Sequence, residues 1–514
     1  MSRPAPRFAD DQAARDLAAD LAPFTVDAVG DLLGPQASSA LLREEPIAAR
    51  RALRGDDRPL AVLVRLFVLG EPVAAAALDA ALPRTGSRGA ADAGLVELIG
   101  SDASPVARPL VDLGPHAADD VQWWLACDLG ELATGGPLPA DHVLGVGGAS
   151  TTLAQWTVQA PVGSVLDLGT GCGVQAFHAA RHATSVLGTD SSERALAFAD
   201  FNARLNAAVV GGPFADRRLQ LRRGDLLEPV AGERFDLVVS NPPFVITPRA
   251  AGVPLYEYRD GGLAGDEVVR RLVGGVVDVL APGGVAQLLG NWEHRVDDDG
   301  QAQDWAQRVR EWLPDGVQAW VVQREVQDPA QYAQTWARDG GHLPGSGAHD
   351  DLVEGWLDDF EARGVAAVGF GVVTLRRAEP GWHRVEELRG PLDGPMGDVV
   401  AAVLDAETWV RGTSDEDLLA AHLTVAADVT EERHALPGAA DPQVILLRQG
   451  GGLQRVVRAD TALAGLVGAC DGELSVGQIV AALAQLLEEP EADLRARLLP
   501  DVRHLVADLL LQHP

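Results

Sequence analysis

Two short segments carry the residue types best suited to chemistry. The first, VLDLGTGCGVQAF (165–177), follows an apolar run with Gly169, Gly171 and Gly173. These glycines let the backbone turn tightly and approach a ligand with no Cβ in the way, just ahead of a predicted helix. The second, DLVVSNPPFVITP (236–248), ends another apolar run in Asn241-Pro242-Pro243-Phe244. The Asn241 side-chain oxygen and the Pro242 carbonyl can both accept from one planar NH2 group, while two prolines stiffen the turn and Phe244 covers the flat face of whatever carries that group. Amides and aromatic amines are poor nucleophiles because their lone pair is delocalised. Two acceptors would orient the nitrogen and favour its pyramidalisation, which is positioning and electrostatics with no strong base required.

The glycine loop alone leaves two ligands open. Gly171 to Ala176 satisfies the G-x-G-x-x-A dinucleotide pattern, so NAD is a candidate. S-adenosylmethionine is the other, and three acids favour it. Asp167, just before the first glycine, can order the loop or meet a cationic amino-acid end, where a pyrophosphate would be repelled. Asp190 ends the second predicted strand with Ser191 after it, placing a carboxylate for both ribose hydroxyls. Asp225, after the third, is placed for an adenine amine, with Leu226 against the ring. All 42 basic residues are arginine, so a phosphate loop that requires lysine is excluded.

Together these segments resemble the class I S-adenosylmethionine-dependent methyltransferases that carry an [Asn/Asp]-Pro-Pro-[Tyr/Phe] motif and modify adenine N6, guanine N2 or a glutamine side-chain amide. The resemblance covers about 220 residues. It implies an N-methyltransferase that turns S-adenosylmethionine into S-adenosylhomocysteine. Asp167, Gly169, Gly171, Gly173, Asp190, Ser191, Asp225 and Leu226 would bind the donor, and Asn241, Pro242 and Phe244 would hold the acceptor. SNPPFVITPR and YRDGGLAGDEVVRRLV look like the corresponding stretches of release-factor glutamine methyltransferases, although the Pro-Arg-Pro-Glu-Thr-Glu segment of that family is missing. DHVLGVGGASTTLAQWT is closer to the lead-in of ribosomal-RNA guanine N2-methyltransferases. The macromolecular acceptor therefore stays open between a protein amide, which is slightly favoured, and an RNA base amine, with a small molecule or DNA less favoured.

Around these residues, short apolar runs alternate with helical stretches from 161 to 378, which predicts a Rossmann-like α/β core with a doubly wound, mostly parallel sheet and an antiparallel last strand. Residues 1–115 read as a winged-helix-like domain: two helices broken at Gly70-Glu71-Pro72, then a hairpin. Residues 116–160 read as a bridging, substrate-side segment and 379–395 as a linker. Residues 396–514 read as an acidic α+β unit, again winged-helix-like, with a hairpin around Gly450-Gly451-Gly452. Small winged modules point weakly to nucleic acid. The formal charge of −32 points the other way, since a phosphate backbone requires a basic face.

Residues 201–250 are the one fifty-residue window with more arginines than acids, seven against five, and its cluster spans 217 to 223. Arg222, Arg223 and Arg249 flank the expected cleft as surface residues that could grip a substrate. Three separated cysteines argue for free thiols in a reducing compartment, with Cys172 a small loop residue. His178 and His182 lack the acid of a metal motif, so no metal is expected. Trp123 and Trp124 read as packing at a domain junction. With no apolar run long enough to span a bilayer and acids near the N-terminus, a cytoplasmic protein is expected. A non-catalytic scaffold with a donor-binding core is the remaining alternative.

Overall fold

The computed structural model describes the chain apart from residues 1–3, 102, 120, 208–218, 250–252, 298, 343, 391, 393, 440 and 514. Arg217 and Arg218 of the arginine cluster therefore lie outside the described residues. Eight strands form the central sheet: β1 (Val162–Leu168), β2 (Ala183–Asp190), β3 (Leu219–Arg223), β4 (Phe235–Ser240), β5 (Leu280–Arg295), β6 (Gln318–Gln327), β7 (Val365–Arg376) and β8 (Trp382–Glu387). Their spatial order is β8-β6-β7-β5-β4-β1-β2-β3. Strands β3, β2, β1, β4 and β5 are mutually parallel, and β7 runs antiparallel between β5 and β6. This is the Rossmann-like class I arrangement with helices on both faces.

The strands form from apolar runs because both faces are covered. Val165, Leu237 and Val239 point into one core with the helix residues Phe177, Phe198 and Phe201, while Leu166, Leu168 and Val238 point into another with Val269, Leu272 and Trp312. Alternation with a period of two along each strand thus feeds two cores at once.

Two expected boundaries are corrected. The linker at 379–395 contains β8, which pairs in parallel with β6 from Gln318↔Trp382 to Gln323↔Glu387. Its Pro, Gly and charge content suggested loop, but Trp382 and Val385 are buried on opposite faces. Its charges are neutralised within the strand and at long range: Arg384 pairs with Glu386 two residues on and with Glu407 and Asp508 far along the chain. The boundary at 115/116 falls inside an antiparallel hairpin of Val111–Ala118 and Val121–Asp128, where Pro115 lies opposite Trp124. Pro is tolerated here because this two-stranded ribbon leaves strand edges that need no N–H.

That hairpin does not bridge two bodies; it is packed on the core. Trp123 and Trp124 are buried, and Trp124 Nε1 donates to the Phe24 carbonyl at 2.7 Å. Two side chains on the helix Glu193–Ala207 take the place of a neighbouring strand. Asn202 accepts from Ala126 N–H at 2.8 Å and donates to its carbonyl at 2.9 Å, and Asn206 does the same for Trp124 at 3.0 and 2.8 Å. Phe8 stacks on Phe201 with ring centres 4.3 Å apart, so one apolar core runs from the N-terminal region into the sheet.

Before the hairpin, the segment Pro59–Val68 is helical and breaks at Gly70. The strand Val73–Ala74, helices Ala75–Ala81 and Gly86–Asp92, and the hairpin Val96–Ser101/Ser104–Pro109 follow. After the core come the helix Gly397–Gly412, a three-stranded sheet with its turn at Gly450–Gly452, and three helices around a separate core.

Asn202→Ala strands the N–H and carbonyl of Ala126 and the carbonyl of Cys172 in the interior. We expect a loss of at least about 2 kcal/mol in denaturant unfolding, because each buried orphan costs about 1–3 kcal/mol. A change below about 0.5 kcal/mol, the usual range for a surface substitution, would remove the docking role given to Asn202.

Candidate functional site

Strand register brings the chemically interesting residues together. Leu168 at the end of β1 is paired with Thr189 of β2 on one side and Ser240 of β4 on the other, and Asp190 is paired with Arg223 of β3. The loops beginning at Gly169, Asp190, Gly224 and Asn241 therefore leave side by side at the carboxyl edge, where the strand order reverses. Gly169, Gly171, Asp190, Ser191, Asp225, Leu226, Asn241 and Pro242 line a single cavity there. Asp167 and Gly173 stand outside its lining, as does Phe244.

Asp167 is 1% exposed, and its Oδ2 accepts from Thr170 Oγ1 at 2.6 Å and from Ala176 N–H at 2.9 Å. It ties the start of the loop to the helix Val174–Ala179. Its Oδ1 is buried with no hydrogen-bond partner among the described residues. Burial pushes the carboxyl up to about 7, against the pull of those two hydrogen bonds. Gly169 and Gly171 have φ of 74° and 55°, and Gly173 has 95°, all in the left-handed region. A Cβ on Gly171 would meet nothing within 4 Å, so its backbone angle, not crowding, calls for glycine.

Asp190 does more than the sequence indicated. Its Oδ2 accepts from Gly171 N–H and its Oδ1 from Ser192 N–H, each at 2.9 Å, so it holds the glycine loop as well as facing the cavity. Each carboxylate oxygen keeps a second lone pair for a ligand hydroxyl. Burial raises its affinity for a proton, opposed by these backbone donors.

At the elbow, Ser240 Oγ donates to the Leu168 carbonyl at 2.7 Å, clamping β4 to β1. The Asn241 side chain makes no hydrogen bond to any described residue, which leaves its oxygen available at the cavity wall. One expectation needs correction. The Pro242 carbonyl is not wholly free: it accepts from Phe244 N–H at 2.8 Å, leaving one lone pair. Phe244, half-buried, packs edge-to-face on Trp336 with ring centres 6.4 Å apart. The DGG segment abuts the elbow, through a bridge between Phe244 and Asp260 and an ion pair between Arg249 and Asp260 at 2.6 Å.

Other sequence candidates resolve plainly. Arg222 pairs with Glu233 and Arg223 with Glu193, as surface residues do. His178 Nε2 lies 3.0 Å from His116 Nε2 and burial lowers it to about 3, a neutral ring in the hairpin interface. No metal-binding cluster of His, Cys, Asp and Glu is present among the described residues. Cys172 is 1% exposed and burial pushes its thiol up to about 12.

Residues the sequence did not single out complete the wall: the strap His142–Gly145 from the lead-in segment, and Glu257 and Tyr258 ahead of DGG. Arg194 fastens this strap by pairing with Asp128 at 2.6 Å, while Asp128 also accepts from Val143 N–H at 2.8 Å. The sequence placed the DHVLGVGG stretch in a bridging, substrate-side segment without naming a residue in it, and a strap acquires meaning once its partners across the fold are known.

The cavity wall carries Asp190, Asp225 and Glu257 and no arginine among its lining residues. Such a wall suits a sulfonium cation and ribose hydroxyls and repels a pyrophosphate, which decides between the two ligands left open by the glycine pattern. Fold and cavity together define a class I methyltransferase core.

The chain carries a methyltransferase small domain, matched over residues 145–253, between two further domains matched as domains of unknown function, DUF7059 at 21–106 and DUF7782 at 401–512. It is 35% identical over 173 residues to the ribosomal protein uL3 glutamine methyltransferase of Bradyrhizobium diazoefficiens, covering 32% of this chain and 51% of that one. The release factor glutamine methyltransferase of Caulobacter vibrioides is 40% identical over 131 residues, 24% of this chain and 43% of that one. The ribosomal RNA small subunit methyltransferase C of Alcanivorax borkumensis is 34% identical over 134 residues, 26% and 33%. The first curated relatives are thus matched over about half their length. Among solved structures, the T. thermophilus 16S rRNA N2 G1207 methyltransferase with AdoMet and guanosine is 20% identical, with 41% of this chain and 54% of that chain covered and a TM-score of 0.25. No helix among the described residues is long and apolar enough to cross a membrane.

Two outcomes test the site's electrostatics. The folded chain keeps a proton on Asp167 that the unfolded chain releases near 3.8, so this group's contribution to stability falls as pH rises from 3.8 to about 7. Asp167→Asn should therefore show a shallower fall of Tm over that window than the parent; equal slopes contradict the assignment. Iodoacetamide at neutral pH should leave Cys172 unmodified in the folded protein, and rapid alkylation there would show the loop to be open.

Proposed function

We propose that this chain is a cytoplasmic N-methyltransferase that uses S-adenosylmethionine to methylate a planar nitrogen of a macromolecule, in the first instance a glutamine side-chain amide of a protein. The observation that carries this reading is the single cavity in which a glycine loop, the strand-end acids Asp190 and Asp225, and the unengaged amide of Asn241 adjoin. The anionic wall of that cavity further supports a cationic donor. The relatives named as glutamine methyltransferases support the amide acceptor.

In this reading Asp190 accepts from the ribose hydroxyls, Asp225 from the adenine amine with Leu226 against the ring, and Gly169 to Gly173 allow close backbone approach. The donor supplies an electrophilic methyl group on a sulfonium. Asn241 Oδ1 and the remaining lone pair of Pro242 O accept from the acceptor NH2, turning its nitrogen lone pair toward that methyl and stabilising the positive charge that grows on nitrogen. Phe244 contributes by fixing the elbow against Trp336. No general base is required, since the methylated nitrogen loses its proton to solvent.

An RNA base amine is the second reading, favoured by the Alcanivorax borkumensis relative. The formal charge of −32 weighs against it, because a phosphate backbone requires a basic face.

Asn241→Ala is expected to leave donor binding by calorimetry within about twofold while cutting methyl transfer by about 100-fold or more, the cost of losing one charge-stabilising contact. Asp190→Ala should first weaken donor binding, by about tenfold or more, since a hydrogen bond to a charged group contributes about 1.5–3 kcal/mol. Unchanged turnover in Asn241→Ala would remove its assigned role, and a detectable donor site in neither parent nor variant would overturn the reading altogether.

A further inference from the structure

The donor cavity has a neighbour. A second cavity of about 640 Å³ lies between the hairpin Val111–Asp128, the strap and residues 335–339, a size typical of a ligand pocket. His142, Leu144, Gly145 and Tyr258 line both spaces, so a group seated in the second cavity is separated from the donor site by the strap and Tyr258.

The second cavity gathers five carboxyl groups, Glu44, Asp112, Asp128, Glu131 and Asp339, against the single cation Arg338. Two of the five are already engaged: Asp128 by Arg194, and Asp339 by Arg259 at 2.6 Å. Glu44, Asp112 and Glu131 form no ion pair with any described residue. Asp112 also makes no side-chain hydrogen bond among the described residues, and burial alone pushes its carboxyl up to about 7.

An independent sign of a missing occupant comes from His142. It is 4% exposed, yet its Nδ1 has no hydrogen-bond partner among the described residues and stands 3.9 Å from Asp128 Oδ2, beyond hydrogen-bond reach. Buried polar groups are nearly always partnered, so an unsatisfied imidazole nitrogen and an unpaired carboxyl on one cavity wall call for a polar partner from outside, and the carboxyl calls for a donor. Burial pushes Glu131 up to about 7 as well as Asp112, so a bound cation would draw the protons off this pair, whereas a phosphate would find no cation among the three carboxyls. They fit a guanidinium or ammonium, which supplies several N–H donors and a positive charge.

We propose that the second cavity receives an arginine or lysine side chain of a polypeptide acceptor, paired with Asp112 and Glu131, so that a neighbouring residue of the same segment is presented to the donor cavity. This deepens, and rests on, the N-methyltransferase reading above.

The test is fluorescence anisotropy on the full-length protein saturated with S-adenosylhomocysteine, using labelled short peptides with a central glutamine flanked by arginine, serine or glutamate. The arginine peptide should bind at least about tenfold more tightly than the serine peptide, and Asp112→Asn and Glu131→Gln should each remove about tenfold of that affinity, as expected for truncating one partner of a desolvated charge pair. Donor binding should be unchanged in both variants. Because a chain of charge −32 attracts any cation, the variants decide. Equal affinity in parent and both variants, or no preference for arginine, overturns the assignment. So does binding of an RNA oligonucleotide that either variant abolishes. Variant-sensitive peptide binding by a protein that transfers no methyl group would uphold the cavity assignment and sink only the methyl-transfer reading.

Discussion

The site depends on one constraint, the shared register of three parallel strands at Leu168. Because Leu168 is paired with both Thr189 and Ser240, the chain after each of these residues leaves the sheet at the same level. Gly169, Asp190 and Asn241 become neighbours although they are far apart in sequence. A slip of one residue in β4 would turn Asn241 to the opposite face and bury its side chain. The hydroxyl of Ser240 on the Leu168 carbonyl guards against such a slip, and the paired cores above and below the sheet do the same through Leu237, Val238 and Val239.

The same edge is coupled to the N-terminal region by a few polar contacts. Asn202 joins the hairpin strand at Ala126 to the glycine loop at Cys172, since its Nδ2 donates to both carbonyls at 2.9 Å. Arg194, about two turns earlier on the same helix, holds Asp128 and through it the strap. Gly145 of the strap lies so close to Cys127 that a Cβ there would stand 2.5 Å from its Sγ. The wall between the two cavities is thus positioned by the helix that also carries the donor loop's support. Movement of the hairpin would be felt at the glycine loop.

Much of this was legible in the sequence, and the reasons for success and failure differ by element. Strands β1 to β7 announced themselves as apolar runs because a doubly covered sheet leaves little room for polar residues. The glycines were legible because a positive φ admits few other residues, and the strand-end acids because each falls directly after such a run. Strand β8 was hidden because its burial relies on Arg384, Glu386, Glu407, Arg455 and Asp508 neutralising one another across long separations, which no local pattern reveals. The hairpin at 111–128 was hidden because the expected boundary at 115/116 cut through its first strand. The strap was hidden because its function is geometric, and the contact of Phe244 with Trp336 was hidden because it spans nearly a hundred residues.

The chemistry of the site is most directly tested by incubating the protein with radiolabelled S-adenosylmethionine and an extract from cells lacking its gene, then digesting parallel samples with protease and with ribonuclease. Transfer to a polypeptide acceptor predicts macromolecular label that protease releases and ribonuclease does not. Label released by ribonuclease alone would contradict the protein acceptor, and an extract left unlabelled by a protein that binds the donor would contradict methyl transfer itself.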